Sequence, residues 1–515
     1  MSTLDRPKWQ LAEQRPVPEM PKIPDDVLSR AWQTDPYVSD PHSIIAVLTK
    51  FLAAVDSTMM IQFLPEEGVL NWVSNYAHRK TPEDFMLLYS ILAVGVALSD
   101  GSEQIAHEYA QVAHYGQKML ETPCLQLVQS RILLAVYYVA TCRHKEADQL
   151  ISSAVATSSF LQLHLELDHS REASMKVFPF GMNRNGYAES RRRTFWALFM
   201  LERLSGYFPD RPVMINAEDI YTRLPADHAS FERLVDIRAP MFDPYVSSFG
   251  QMAEQSIDIA GFQVELAHIW AETQAFNQRM ALRPALADAE AQKLQSLTER
   301  AERWHAALPA RLKFGGANLE SAAFSGTIGS FLSIHMLYHH AMIKLNRHRG
   351  RLDQISVEAR SEHAAKCRHH ASSIIEMLDS LDRILRMRPT LLKTAPSIMA
   401  MAVTEAVDVL SASGSMTAMP DLIDILRVAK CALEKMTHVW RASSHSLFMV
   451  EQRMQNLELI CKQGSRPSTP HDGYRLLPNT ENKDRMGNRW QINDPIERSL
   501  PLEMDILYFK RGWEI

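Results

Sequence analysis

The sequence predicts an all-α fold, built as a large irregular multi-helix array of antiparallel helix pairs. Of the 515 residues, 46% are hydrophobic and 22% are charged, an ordinary globular composition that excludes wholesale disorder. Only 19 residues are Gly and 26 are Pro, too few turn-forming residues for a large all-β protein of many short strands. Apolar residues recur at helical spacing through most of the chain, whereas few segments alternate with a period of two. No fixed repeat length is visible, so a regular repeat array is not predicted.

Prolines dominate residues 1–40, where Pro7, Pro16, Pro18, Pro21, Pro24 and Pro36 fall. Proline at this density removes backbone donors, so the sequence predicts an extended, largely disordered arm. One short helix fits at residues 25–32. The arm begins MSTLDRPKWQ, which lacks the apolar region of a secretory signal, and no such signal is expected.

Residues 41–464 form the helical block. Residues 125–140 are apolar nearly all round, which predicts a buried helix. After the polar turn at 143–145, apolar residues from Ala147 to Leu161 fall on one stripe of a second helix. Two helices joined by so short a turn form an antiparallel hairpin. The same periodicity recurs around residues 43–64, 83–98, 103–120, 247–281, 286–307, 326–348, 356–384, 395–412, 420–440 and 444–462.

Residues 465–515 form a tail with two parts. Residues 465–499 are polar and rich in Pro, Gly and Asn, which predicts a mobile segment. Residues 500–515, LPLEMDILYFKRGWEI, are apolar again and carry interspersed acids. Two interpretations stay open. The segment either engages a coactivator groove as an acidic activation segment, or it folds back onto the protein's own helices.

Composition and motifs exclude several function classes. The formal charge of -5 does not suit a polybasic nucleic-acid binder. The longest apolar run, ILLAVYYVATC, is far shorter than the ~20 residues of a membrane span, so no membrane role is expected. Nucleotide-binding, hydrolase and zinc-protease motifs are absent, and the only Asp-Asp pair, Asp25-Asp26, lies in the arm. We therefore expect no enzymatic activity and no cofactor.

Residues 187–225 combine buried charge with an apolar run. Glu189 and Arg193 stand four residues apart and can pair on one helix face. The apolar run 195–201 encloses the next turns, so Arg203 must be buried and needs a carboxylate partner. We expect that partner to be Glu218 or Asp219, across the following loop. Residues 213–215 are predicted to cross as an extended, buried segment.

This stretch resembles the signature of the fungal-specific transcription factor domain, also called the middle homology region of fungal binuclear zinc-cluster regulators. The residues at the signature positions are Glu189, Arg191, Arg192, Arg193, Phe195, Trp196, Leu201, Arg203, Ser205, Arg211, Pro212, Ile215, Asp219, Leu224 and Pro225. The resemblance extends over about residues 45–460. Two departures are mild: Glu202 replaces the usual Asp, and Asp210 replaces the usual Gly.

The resemblance implies a helical regulatory, effector-responsive domain that acts in RNA polymerase II transcription in the nucleus. It implies contacts with the transcription machinery or with a DNA-binding partner, and it is compatible with a small-molecule effector and a homodimer. The alternative is a non-nuclear helical scaffold or interaction protein derived from the same domain.

Family members usually begin with six cysteines that hold two zinc ions on a DNA-reading module. The five cysteines here are scattered, and the first is Cys124, inside the helical block. The thiolates that would bind zinc are therefore missing from the expected place, and no direct DNA reading is expected from this chain alone. Either an upstream exon with the cluster is missing, or the module acts without its own reader.

Four groups of residues have both a functional and a structural interpretation. Residues 191–193 suit a nuclear import signal or a phosphate contact, or else local pairing with Glu189. Two groups suit either a metal site or polar positions on packed helices. One consists of His335, His339 and His340, and the other of Cys367, His369 and His370. The aromatics Phe195, Trp196, Phe199 and Tyr207 suit an effector pocket or a packed core. For each of the four groups, the structural interpretation is the expected one.

Overall fold

Helices follow the apolar periodicity closely in the computed structural model. The structure describes residues 21–58, 61–75, 80–99, 101–204, 213–245, 258–282, 287–347, 357–389, 392, 395–463, 474–477 and 489–492. Nine helices lie in the first half of these ranges: α1 (Asp25–Trp32), α2 (Pro36–Ser39), α3 (Pro41–Thr58), α4 (Glu66–Ser74), α5 (Pro82–Ala97), α6 (Glu103–Met119), α7 (Leu125–Ala140), α8 (His144–Phe160) and α9 (Arg184–Leu204).

Nine more helices follow in the second half of the described ranges. They are α10 (His228–Glu232), α11 (Ile259–Leu282), α12 (Ala287–Ala306), α13 (Gly316–Phe324), α14 (Ile328–Arg347), α15 (Val357–Met387), α16 (Ile398–Ser411), α17 (Met419–Thr437) and α18 (Ser443–Gln463). The predicted all-α class is confirmed.

Two buried helices organise the N-terminal half. α5 begins with a capping box, in which the Thr81 hydroxyl accepts from the Asp84 amide and the Asp84 carboxylate accepts from the Thr81 amide. α5 packs against α3, α6 and α7, and α7 forms the predicted hairpin with α8. Both helices are apolar on every face because neighbouring helices cover them on several sides.

Helix α14 plays the corresponding role in the C-terminal half, where it packs against α11, α12, α15 and α16. An ion network joins α14 to α16 and α18. Lys344 Nζ lies 3.1 Å from a carboxylate oxygen of Glu405, and Arg347 pairs with Glu405 and Asp408. Arg453 completes the network by pairing with Asp408. A continuous cluster of buried apolar side chains runs from α1 to α18.

The described part of the N-terminal arm is ordered, which corrects the expectation of disorder for residues 21–40. Pro24 stands at the N-cap of α1, and Pro36 and Pro41 begin α2 and α3. Proline suits these positions because its missing N–H has no helical partner there. Trp32 donates from its indole nitrogen to the Pro82 carbonyl, 3.0 Å away, and anchors α1 to the start of α5. The predicted helix at 25–32 is confirmed.

A three-stranded antiparallel sheet lies beside the helices. Its strands are β1 (Ser413–Ser415), β2 (Tyr474–Leu477) and β3 (Arg489–Ile492), in the order β1-β3-β2. Trp490 stands opposite Gly414 on one side and Leu476 on the other. Two strands thus lie within the segment 465–499 that the sequence predicts as a mobile tail. Aromatic and aliphatic residues at 474–477 and 489–492 suit strands despite the polar surroundings.

Residues 500–515, with their two open interpretations, lie outside the described residues. Among the helices that the structure describes, none is both long and apolar enough to span a membrane.

Candidate functional site: the signature helix

Helix α9 carries most of the predicted site residues, and every residue from Glu189 to Arg203 is buried. The helix packs against α7, α8 and α11, and the chain returns over it at residues 213–226. Three consecutive arginines in such a position cost several kcal/mol unless carboxylates pair with them. The geometry of that pairing defines the site.

Glu189 is the central acceptor. One of its oxygens accepts from Arg193 Nε at 2.8 Å and from the Ala226 amide at 2.9 Å, and the other accepts from Arg192 at 2.9 Å. Arg193 also donates to the carbonyls of Ala226 and Gln62, 2.7 and 3.3 Å away. The predicted Glu189–Arg193 pair is confirmed, and it ties α9 to two loops that are distant in sequence.

Arg192 is shared between two carboxylates. Its guanidinium donates three hydrogen bonds of 2.8–3.1 Å to Glu166 and one of 2.9 Å to Glu189. Burial alone would raise the pKa of Glu166, but the hydrogen bonds and charge of Arg192 outweigh it and lower that pKa to about 2. Glu166 also accepts from the Thr222 hydroxyl at 3.0 Å and the Arg223 amide at 2.9 Å. It therefore fastens the segment after α8 to the returning chain.

Arg191 has a different partner. It pairs with Glu172 and donates to the carbonyls of Leu161 and Gln162, 3.3 and 3.2 Å away. Burial lowers its pKa to about 10, so the guanidinium stays charged at neutral pH. Arg191 thereby holds the end of α8.

Glu166 and Glu172 are absent from the sequence-predicted site. The three arginines require three carboxylates, and the signature helix itself supplies only Glu189 to them. The excess of arginines over carboxylates on this helix is the feature of the sequence that indicates two further acids elsewhere in the chain. It does not identify them, because they lie 19 to 26 residues upstream of the arginines they bind.

Arg203 is buried, as predicted, but its partner is not the predicted one. It pairs with Glu202, 3.0 Å away on the same helix, and donates to the Ile215 carbonyl at 2.7 Å. Its guanidinium carbon also lies 3.5 Å from the centre of the Phe199 ring. Burial lowers the pKa of Arg203 to about 10, and the Glu202 carboxylate works against that shift.

The loop acids expected to bind Arg203 turn elsewhere. Asp219 is exposed and accepts from the Asn216 amide at 3.1 Å, and Glu218 accepts from the Tyr245 hydroxyl. The prediction of a loop carboxylate failed because the loop binds through its backbone. Glu202 accepts from the Met214 and Ile215 amides, and these hydrogen bonds hold the loop against the Arg203–Glu202 pair.

The predicted burial of residues 213–215 is wrong for Val213 and Met214, whereas Ile215 is half-buried and packs against the core. Val213 and Met214 are 49% and 40% exposed, although the Met214 amide and the Ile215 carbonyl hydrogen-bond to Glu202 and Arg203. Ser205, Tyr207, Arg211 and Pro212 lie outside the described residues.

The aromatic residues of the signature form packed core. Trp196 donates from its indole nitrogen to the Arg223 carbonyl at 2.7 Å, and its ring meets Phe199 and Phe242 edge to face, with 5.1 Å between centroids in each pair. Phe195 lies 5.2 Å from Trp196. Phe195, Trp196 and Phe199 therefore pack as core residues, which is the structural interpretation expected from the sequence.

The two histidine groups contribute one residue each to a single contact. The Nδ1 atoms of His339 on α14 and His370 on α15 lie 2.9 Å apart. His335 turns away, and its Nε2 lies 2.9 Å from the Leu312 carbonyl oxygen. Within the part of the chain that the structure describes, no three His, Cys, Asp or Glu side chains are placed to hold a metal ion.

The fungal specific transcription factor domain matches residues 42–338, which is more than half of the chain and includes all of α9. The chain belongs to this family.

Curated relatives of this fungal transcription factor domain are themselves regulators. The Zn(2)-C6 fungal-type transcription factor FTF1c of Fusarium oxysporum f. sp. lycopersici is 26% identical over 245 residues, covering 45% of this chain and 26% of that protein. Transcription factor tazR of Aspergillus terreus is 28% identical over 127 residues, 25% of this chain and 18% of that protein.

A transcriptional regulatory protein of Schizosaccharomyces pombe, C1327.01c, is 23% identical over 286 residues, 51% of this chain and 28% of that protein. The matched stretch is thus about a quarter of the length of FTF1c and of the fission yeast protein. No solved structure matches the chain.

Proposed function

We propose that this chain regulates transcription in the nucleus as a helical regulatory domain that works through protein contacts. The observation that carries the proposal is the membership of the family, together with the internal pairing of its signature arginines. Arg191, Arg192 and Arg193 are buried and bound to carboxylates. These arginines therefore hold neighbouring loops together. Their burial and pairing support a structural role, and they do not favour contact with phosphate or with an import receptor.

The composition supports recruitment to DNA through another protein. The sequence carries a net charge of -5, and its five cysteines lack the paired C-x2-C-x6-C spacing of a zinc cluster. We propose that the chain reaches promoters by contact with a DNA-binding partner or with the transcription machinery. A small-molecule effector and a homodimer remain compatible with this proposal, and enzymatic activity is not part of it.

Localisation in living fungal cells tests the proposal. A fluorescent fusion of the full chain should concentrate in the nucleus, and deletion of the gene should change the levels of a defined set of transcripts. The same fusion carrying Glu189→Gln, which removes the negative charge that two buried guanidiniums share, should lose this effect on transcripts, and the matched control Glu320→Gln should keep it. Uniform exclusion of the intact fusion from the nucleus would contradict the proposal and favour a cytoplasmic scaffold.

A further inference from the structure

Helices α15 and α17 leave an apolar groove between them. Its volume is about 280 Å³, and its walls include Leu381, Leu385, Val428, Ala432, Met436 and Trp440. Leu381, Met436 and Trp440 are buried and form its floor, whereas Leu385, Val428 and Ala432 are half-buried along its sides. The volume lies just below the about 300–1,000 Å³ of small-molecule pockets. It therefore suits one or two bulky side chains better than a whole cofactor.

The rim of the groove is cationic. Arg386, Arg427 and Lys435 line it together with one carboxylate, Asp382. Asp382 accepts from Arg386 at 2.7 Å and from Lys435 at 3.0 Å, so one acid is shared by two bases, and Arg427 pairs with Asp424. The side chains of all three bases are more than half exposed. An apolar groove with this rim fits an amphipathic helix that carries acids beside its apolar stripe.

We propose that residues 500–515 of this chain occupy the groove. Leu502, Ile506, Phe509 and Trp513 follow one another at intervals of four, three and four residues, which places them on one face of a helix. Pro501 directly precedes the stripe, and proline suits a first helical position. Glu503 and Asp505 supply acids near the start of the stripe, where basic rim residues can meet them, and Lys510 and Arg511 follow nearer its end.

The sheet brings this segment close to the groove. β3 pairs with β1, which ends four residues before α17 begins, and Gln491 stands opposite Ser413, so the chain leaves β3 beside the segment that leads into α17. From Ile492 to Leu502 the chain spans ten residues, a reach of up to about 33 Å. The distance along α17 from Met419 to Val439 is about 30 Å at 1.5 Å per residue. The tether is thus long enough, and it raises the local concentration of the segment.

The lengths also agree. The groove follows α17 from Arg427 to Val439, about 18 Å, and a helix from Leu502 to Trp513 is about 17 Å long. Of the two interpretations of the tail, this geometry favours docking onto the protein's own helices.

The groove contains a thiol that reports its occupancy. Cys431 is exposed and lines the groove, whereas Cys461, near the end of α18, is exposed and does not line it. The experiment compares the alkylation rates of these two thiols by peptide mass spectrometry in the full chain and in the double variant Phe509→Ala/Trp513→Ala. We expect the rate at Cys431 to rise about tenfold or more in the variant, a factor that corresponds to about 1.4 kcal/mol. The rate at Cys461 should not change.

Addition of a synthetic peptide of residues 500–515 to the double variant should restore protection of Cys431. The same peptide with both alanines should not. Equal alkylation rates at Cys431 in the full chain and the variant, or no protection by saturating peptide, would overturn the proposal. A melting temperature measured for both chains separates loss of docking from loss of the fold.

Discussion

At the scale of single residues, the signature is a set of buried charges whose partners come from elsewhere in the chain. The need of Arg203 for a carboxylate follows from its place beside an apolar run, and that much could be predicted. Its partner could not, because Glu202 lies next to it in sequence and such neighbours point in different directions on an ideal helix. The guanidinium reaches Glu202 by lying over the Phe199 ring. Only packing decides that geometry.

Glu189→Gln should strongly destabilise the fold. The substitution removes the charge that Arg192 and Arg193 share and leaves two buried cations undercompensated, which costs about 3–5 kcal/mol. Urea unfolding followed by circular dichroism measures the change in the free energy of unfolding. Glu320→Gln, at an exposed position of α13, is the matched control and should change it by less than about 0.5 kcal/mol. Equal effects of the two substitutions would contradict the account.

Arg203→Ala should lower the free energy of unfolding by about 3 kcal/mol. The loss combines the Glu202 pair, the hydrogen bond to Ile215 and the stacking on Phe199, all in a buried site. Arg383→Ala removes an exposed pair with Asp379 on α15 and should cost at most about 1 kcal/mol. Thermal melts of both variants provide the comparison. A melting temperature of Arg203→Ala equal to that of Arg383→Ala would show that the buried pair is not stabilising.

At the scale of helices, the sequence predicts the long elements well and, apart from α1, the short ones poorly. The amphipathic stripe after the polar turn predicts α8, and the uniformly apolar run predicts the burial of α7, because both patterns depend on local spacing. α4, α10 and α13 have nine residues or fewer, too few for a clear period. The prolines of the arm mislead for another reason, since at N-cap and first-turn positions they begin helices instead of preventing them.

The contact between α14 and α15 should make stability depend on pH. Burial lowers the pKa of His339 well below its usual value, and it lowers the pKa values of His335 and His370 to about 4. Neighbouring bases, including His305, His369 and Lys366, act in the same direction. In the unfolded chain these histidines bind protons below about pH 6.5, whereas in the folded protein His335 and His370 stay neutral to about pH 4 and His339 stays neutral well below its usual pKa. Stability is therefore full above pH 6.5 and falls as the pH drops from 6.5 towards 4.

Denaturant unfolding at several pH values between 7.5 and 5 measures this slope. His370→Gln should flatten it, because one of the groups that takes up protons on unfolding is then absent. His438→Gln, at an exposed position after α17, is the control for the substitution itself. A stability that is independent of pH in this interval would contradict the account.

At the scale of the whole molecule, the chain has one continuous helical core, as expected for a member of this family. Its net charge and its scattered cysteines indicate that it does not read DNA directly. Isolated purified chain should contain no stoichiometric zinc and should bind DNA only weakly and with strong salt dependence. The reasons are the scattered cysteines and the net charge of -5. Elemental analysis and DNA titrations at two salt concentrations test this expectation. Two zinc ions per chain would contradict it.

The central claim is that this chain regulates transcription through protein contacts made by its folded helical domain. The most direct measurement fuses the full chain to a heterologous DNA-binding module and records a reporter gene in fungal cells. The account predicts a several-fold change in reporter expression that disappears with Glu189→Gln and persists with Glu320→Gln. An unchanged reporter, with the intact fusion shown to occupy the promoter, would contradict it.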